Sequence, residues 1–137
     1  MIYLQKGFIK EGGKAGAPDL AKAYDYYVKA ANTGHVEALT DVGYMYEMGL
    51  HVKKDIDQAL AYYTKAAKLE GARAFNNIGS LYYEFKIPEK IAGQNYQKAF
   101  EYFNKSAQQG HPKGLAHLGL CFERGHGVEA DNTVAKE

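Results

Sequence analysis

The sequence is poor in residues that cross-link, interrupt or anchor a chain. Its 137 residues include one cysteine, no tryptophan and only three prolines. The lone Cys121 excludes an internal disulfide framework, and the scarcity of proline permits long helices. No apolar run approaches the roughly 18–20 residues of a transmembrane helix, so the sequence predicts no membrane span.

An excess of charge of one sign is also missing. Lys and Arg number 17 against 16 Asp and Glu, which leaves a net charge of +1. Nucleic acids and anionic membranes select a clustered basic surface, so we expect neither as a partner. Residues 1–6 show no signal-peptide pattern. With the single cysteine this favours the cytoplasm, and the endoplasmic reticulum is the alternative if the chain is part of a longer secretory-pathway protein.

An internal repeat organises the chain. Four glycines recur at spacings of 36, 36 and 40 residues, at Gly7, Gly43, Gly79 and Gly119. An aromatic pair recurs as Tyr26-Tyr27, Tyr62-Tyr63 and Tyr102-Phe103, each pair followed by a lysine at 29, 65 and 105. The longer third spacing comes from four extra residues within 85–94. Periods of this length are typical of solenoids built from repeated helix pairs.

Each repeat predicts two helices, which we name A and B in chain order. In the second repeat, helix A is expected over Val36 to Met48 and helix B over Ile56 to Leu69, with Ala59, Tyr63 and Ala66 on one packing face. The expected helix N-caps are Asp19, Asp55, Asn95 and Asp131. The glycines expected to end B helices in a left-handed conformation are Gly34, Gly71 and Gly110. The 12 tyrosines are interpreted as helix-packing side chains.

These residues resemble the Sel1-like repeat family, a relative of the tetratricopeptide repeat. The stretch from Ala38 to Gly71 carries nearly the whole pattern, including Val42-Gly43, Tyr46, Gly49, Asp55, Tyr62-Tyr63, Lys65-Ala66-Ala67 and Gly71. The resemblance implies an all-α fold, an α-α superhelix of antiparallel helix hairpins. It implies a single domain over residues 1–137, with repeats at about 1–35, 36–71, 72–111 and 112–137. The last repeat is incomplete, and we expect the chain to be a fragment of a longer protein.

The first repeat departs from the pattern. Lys6 occupies the position at which Val42, Ile78 and Leu118 are expected to pack in the other repeats. Two interpretations stay open: a solvent-facing terminal cap, which solenoids require, or a degenerate first repeat.

The resemblance implies a protein–protein interaction scaffold or adaptor that binds a partner protein or peptide through a concave face lined by the A helices. The alternative is an intramolecular regulatory or substrate-docking arm of a larger enzyme, and a hydrolase is a more distant reading. Within each A helix the groove positions follow one another after 3, 4 and 3 residues, so their side chains share one face of the helix. Carried over from tetratricopeptide repeats, they are Phe8, Glu37, Thr40, Tyr44, Glu47, Arg73, Asn76, Ser80, Tyr83, Lys113, Leu120 and Glu123.

No catalytic, metal or cofactor site is predicted. His35 and His111 occupy equivalent repeat positions, as do His51 and His126, so the repeat explains them without a metal. His117 and His126 lack a tight ligand spacing with Cys121. Residues 12–14 lack the frame of a phosphate-binding loop. We therefore expect a binding segment with no catalysis of its own.

Overall fold

The computed structural model describes residues 16–89 and 93–128. Within these ranges the chain forms six α-helices and no strand, which confirms the all-α prediction. The helices are α1 (Leu20–Asn32), α2 (Val36–Met48), α3 (Ile56–Lys68), α4 (Ala72–Tyr83), α5 (Gln94–Gln108) and α6 (Pro112–Arg124). The longest of these, α5, has 15 residues, and no helix in the described ranges is long and apolar enough to cross a bilayer.

The A helices α2, α4 and α6 alternate with the B helices α1, α3 and α5. Consecutive helices lie side by side, and each A helix also contacts the next A helix. Among the described residues, no B helix contacts another B helix. A stack of helix pairs that is closer on one side curves toward that side. The A helices therefore line the inner face of the solenoid, and the B helices form its outer face.

Two predicted N-caps are confirmed. The side chains of Asp19 and Asp55 accept hydrogen bonds from the backbone N–H groups of Lys22 and Gln58, each 3.0 Å long. These bonds satisfy donors that a helix leaves open in its first turn. The expected cap at Asp131 lies outside the described residues.

The predicted N-cap at Asn95 is wrong. Helix α5 begins at Gln94 and is capped by Gly93, two residues before the predicted cap, and Asn95 is buried. Its amide donates to the carbonyls of Tyr82 and Ile87 at 3.0 and 2.8 Å and accepts from Glu89 N at 2.8 Å. Asn95 therefore holds the inserted loop of the third repeat against the end of α4.

The ends of the B helices follow the repeat register. Gly34 and Gly110 adopt the predicted left-handed conformation, with φ of 87° and 75°. The prediction for Gly71 is wrong, because this residue is extended (φ −73°) and caps the start of α4. Glu70 takes the left-handed position instead, with φ of 61°. The residue five positions after the recurring lysine is therefore left-handed in all three repeats, although in the second repeat it is a glutamate.

A glycine of α2 and a glycine of α4 each accept an aromatic ring from the B helix that follows. A Cβ added to Gly43 would lie 2.7 Å from ring carbons of Tyr63, and one added to Gly79 would lie 2.7 Å from those of Phe103. The two side chains are 0% and 1% exposed. Such contacts need the absence of a side chain, because protein interiors are close-packed. Glycine in the A helix thus sets the close approach of the two helices in each hairpin.

Several other tyrosines join helices, as predicted. Tyr46 stacks on Tyr62 with ring centroids 5.8 Å apart, and Tyr82 stacks on Tyr102 at 5.9 Å. Tyr24 links the first B helix to the second repeat through a 3.1 Å hydroxyl–hydroxyl hydrogen bond with Tyr46. This hydrogen bond, together with burial, raises the pKa of Tyr24 to about 12.

A candidate protein-binding cleft on the inner face

Three successive A helices border an open cleft of about 410 Å³ on the inner face. Its lining residues are Tyr44 of α2, Arg73 and Asn77 of α4, and His111, Pro112 and Lys113 at the start of α6. Three of the residues predicted from the sequence, Tyr44, Arg73 and Lys113, are therefore brought together here. They are far apart in the chain, and the stacking of repeats alone makes them neighbours.

Arg73 ties the cleft together. Its guanidinium donates to Glu37 Oε1 and to Asp41 Oδ1, both at 2.6 Å. Burial opposes the charged form of this guanidinium, but the hydrogen bonds to Asp41 and Glu37 outweigh burial and raise the pKa of Arg73. The pair of carboxylates neutralises Arg73 and fixes the spacing of α2 and α4.

Tyr44 and Lys113 are the side chains of the cleft left open to a partner. Tyr44 is 44% exposed. Lys113 is exposed, and no residue in the described ranges forms an ion pair with it. An aromatic ring next to a free ammonium group offers apolar contact area together with a charged hydrogen-bond donor.

The start of α6 adds further polar groups. His35, the equivalent of His111, caps α2 by accepting from Ala38 N at 3.1 Å, whereas α6 has no side-chain cap. His111 Nε2 is buried without a hydrogen-bond partner among the described residues. The first turn of α6 therefore presents uncapped N–H groups beside the cleft, where they favour an incoming hydrogen-bond acceptor.

Three predicted groove residues are buried, and for them the prediction of an accessible side chain is wrong. Thr40, Glu47 and Asn76 are 0%, 8% and 3% exposed. They are enclosed by the solenoid rather than open to the groove. Thr40 Oγ1 donates to Val36 O at 3.1 Å, within its own helix. Asn76 Oδ1 lies 2.7 Å from His117 Nδ1 on the neighbouring A helix. Asn76 thus joins two repeats.

Glu47, itself buried, forms an ion pair with the partly exposed Lys86. Its Oε1 accepts from the hydroxyl of Tyr63 at 2.7 Å, and its Oε2 pairs with Lys86 Nζ at 3.0 Å. Burial is the largest cause, and the hydrogen bond to Glu47 the next, of a pKa of Tyr63 far above its usual range. The hydrogen bond to Glu47 is also the main cause of a raised pKa at Lys86. Glu47 thus connects its own hairpin to the inserted loop that follows α4.

The other predicted residues that the structure describes do not line the cleft. Tyr83 is half-buried, and its hydroxyl is 2.8 Å from His126 Nδ1. Ser80 and Leu120 are half-buried and Glu123 is exposed. Phe8 lies outside the described residues.

The sequence reasoning missed several residues of this site, including Asp41, Asn77 and His111. Asp41 and Asn77 each follow a predicted groove residue by four positions, so helical spacing could have indicated them.

His117 gives the inner face a pH-dependent stability. Burial lowers its pKa, an effect that Glu84 opposes and Lys113 reinforces. The unfolded chain therefore binds this proton more readily, and stability falls as the pH drops below the ordinary value of 6.5. We expect His117→Gln to weaken the loss of melting temperature between about pH 7 and pH 5. Thermal melts followed by circular dichroism measure this, and an unchanged pH dependence would contradict the assignment.

Groups typical of catalysis are sparse here. In residues 16–89 and 93–128, no three His, Cys, Asp or Glu side chains are grouped so that they could hold a metal ion. Cys121 is buried, and burial raises the pKa of its thiol. A thiol with a raised pKa is a poor nucleophile at neutral pH.

Comparison with known families settles the type of repeat. The Sel1 repeat model matches four consecutive stretches, at residues 7–35, 36–70, 90–111 and 112–137. The chain belongs to the Sel1 repeat family. The resemblance predicted from the recurring glycines and aromatic pairs is thereby confirmed. Sel1 repeat proteins generally act as protein-interaction scaffolds.

Solved structures share this Sel1 architecture. A Sel1 repeat protein from Oxalobacter formigenes superposes with a TM-score of 0.73 at 28% identity, covering 93% of this chain and 50% of that one. A protective antigen of uropathogenic Escherichia coli strains, described as displaying an SLR fold, gives a TM-score of 0.72 at 32% identity. That alignment covers 93% of this chain and 27% of the antigen.

Among curated proteins, the chain is similar to DAP3-binding cell death enhancer 1 of Rattus norvegicus and of Mus musculus. Each is 38% identical over 53 residues, which is 39% of this chain. The match spans 10% of the length of either relative.

Proposed function

We propose that this Sel1 repeat segment is an interaction scaffold that holds a peptide segment of a partner protein in the inner-face cleft, without catalysis of its own. The observation that carries the proposal is the convergence of Tyr44 and Lys113, both open to solvent, with Asn77 between them. The family supports the general role, since Sel1 repeats typically bind proteins.

The chemistry of the cleft suits a peptide. Tyr44 and Pro112 offer apolar surface to a side chain of the partner, and aromatic residues dominate binding energy at interfaces. The amide of Asn77 carries both a donor and an acceptor, the combination that a peptide group presents. Lys113 adds a positive charge at the edge, which mainly raises the rate and selectivity of association.

We expect the double variant Tyr44→Ala/Lys113→Ala to bind partner peptides at least about tenfold more weakly, a change of about 1.4 kcal/mol. The measurement starts from peptides selected on the wild-type chain from a random display library, with affinities taken by fluorescence anisotropy. Both positions are exposed, so the fold should be unaffected, as circular dichroism would verify.

The matched control is Tyr26→Ala. Tyr26 is 62% exposed and lies on the outer helix α1, away from the cleft. Its loss should leave peptide affinity unchanged. Equal binding by the wild type and the double variant would reject the cleft as the binding site, and a larger loss in the control would move the site to the outer face.

A further inference from the structure

Lys113 carries a charge that does not stabilise its own helix. It is the second residue of α6, and a positive charge in the first turn of a helix opposes the helix dipole. The equivalent second residue of α2 is Glu37, whose negative charge suits that position. The lysine at the start of α6 is therefore not explained by helix formation.

The other cation of the cleft is compensated. Arg73 of α4, the equivalent of Lys113, pairs with Glu37 and Asp41, and both nitrogen–oxygen distances are 2.6 Å. Lys113 lines the same cleft and is exposed, and it forms no ion pair within the described ranges. Of the lysine and arginine side chains that line the cleft, Lys113 is thus the one left for an anionic group of a partner.

The two sides of the cleft differ in charge. On the side formed by α2 and α4, the carboxylates of Glu37 and Asp41 share the single guanidinium of Arg73, which leaves one negative charge uncompensated. The side formed by α6 carries Lys113, and the first turn of this helix has no acidic residue. An anionic group is therefore attracted at the α6 side and repelled at the α2 side.

His111 offers a hydrogen-bonding group beside Lys113. It lines the cleft, and its Nε2 is buried without a hydrogen-bond partner among the described residues. Buried polar atoms are nearly always paired, so this nitrogen marks a place where a bound group completes the hydrogen bonding. In the tautomer that carries its proton on Nε2, His111 donates to an oxygen. A carboxylate accepts from several donors at once, so it suits Lys113 and His111 together.

The geometry of the solenoid limits where the anionic group lies along a bound peptide. Tyr44 lies on α2 and Lys113 on α6, with α4 between these two helices. Packed helices are about 8–10 Å apart, so the axes of α2 and α6 are separated by no more than about 20 Å. An extended peptide advances about 3.3 Å per residue, so at most about six residues separate a side chain on Tyr44 from one on Lys113.

We propose that the inner-face cleft selects a peptide segment that carries an aspartate or glutamate within about six residues of a bulky apolar side chain. The carboxylate binds Lys113, and the apolar side chain packs on Tyr44. This inference rests on the proposed function and adds the chemical class of the partner segment. The difference in charge between the two sides fixes which end of the segment lies on α6.

The test uses peptides selected on the wild-type chain from a random display library and synthesised with acetylated and amidated ends. Their side chains then supply all of their negative charge. Replacing the aspartate or glutamate by asparagine or glutamine should weaken binding to the wild type by about fivefold in fluorescence anisotropy. The acidic peptide and its amide should bind Lys113→Ala equally, and Lys113→Glu should prefer the amide.

Lys105→Ala is the matched control. Lys105 is also exposed and forms no ion pair in the part of the chain that the structure describes. It lies on the outer helix α5, with its Nζ 5.5 Å from the centroid of the Tyr102 ring. This variant should keep the full preference for the acidic peptide. The melting temperature of Lys113→Ala should equal or exceed that of the wild type, since the lysine opposes the dipole of α6.

Three results would overturn the inference and leave the proposed function in place. These are selected peptides that lack an acidic residue, equal binding of the acidic peptide and its amide by the wild type, and a preference for the acid that persists in Lys113→Ala. Equal binding by the wild type and Tyr44→Ala/Lys113→Ala would reject the cleft as the binding site, and the inference with it.

Discussion

Truncation of Phe103 to alanine is expected to lower the free energy of unfolding by about 3–5 kcal/mol. The ring is 1% exposed, covers Gly79 and stacks on His117 with centroids 4.6 Å apart. Its removal therefore leaves a cavity between three helices, because the side chain of α5 packs against both α4 and α6. A cavity of this kind collapses poorly when its walls are helix backbones held by neighbouring contacts.

Urea denaturation of the wild type and Phe103→Ala measures the loss. The matched control is Phe85→Ala, the same chemical change at a side chain that is 52% exposed. The control should cost less than about 1 kcal/mol. Comparable losses in the two variants would mean that the ring over Gly79 does not organise the hairpin.

Replacement of Lys86 by methionine is expected to cost about 1–3 kcal/mol, between the values for an exposed ion pair and for a broken buried one. The Lys86 side chain is 30% exposed, so part of its charge is already solvated. Glu47 is 8% exposed and would keep the Tyr63 hydroxyl as its hydrogen-bond partner. An ionised carboxylate in that position lacks a compensating cation, which is the source of the cost.

Two further variants separate this effect from loss of packing. Adding Glu47→Gln to Lys86→Met removes the uncompensated charge and retains an acceptor for Tyr63, so most of the stability should return. Lys98→Met breaks a surface ion pair in which Lys98 Nζ lies 2.9 Å from Glu89 Oε1. This variant should barely change the free energy of unfolding. If the double variant is no more stable than Lys86→Met, charge is not the cause.

The helices were predictable because their signals are local. The bounds of α2 follow from apolar spacing, and the caps at Asp19 and Asp55 follow from side-chain chemistry three residues away. The exchange of roles between Glu70 and Gly71 was not predictable from residue type. There, the register of the surrounding helices overrides the ordinary preference of glycine for a left-handed turn.

The site was predictable only in part, for a related reason. Helical spacing tells which residues share a face of one helix, such as Glu37 and Tyr44 on α2. Helical spacing does not indicate which side chains of that face are buried by the next helix. Asn76 is buried against the following A helix, where it meets His117, so a side chain that resembles part of a recognition surface serves to join the repeats.

The contacts between A helices have a mechanical consequence. Among the described residues the B helices contact only A helices, whereas successive A helices also contact one another. The inner edges of consecutive repeats therefore form a seam of A-helix contacts that the outer edges lack. Bending about that seam changes the separation of α2, α4 and α6 and therefore the width of the cleft. Arg73 bridges the seam from the cleft wall. A ligand that contacts three repeats would therefore bind best to the solenoid conformations whose curvature matches the length of the ligand.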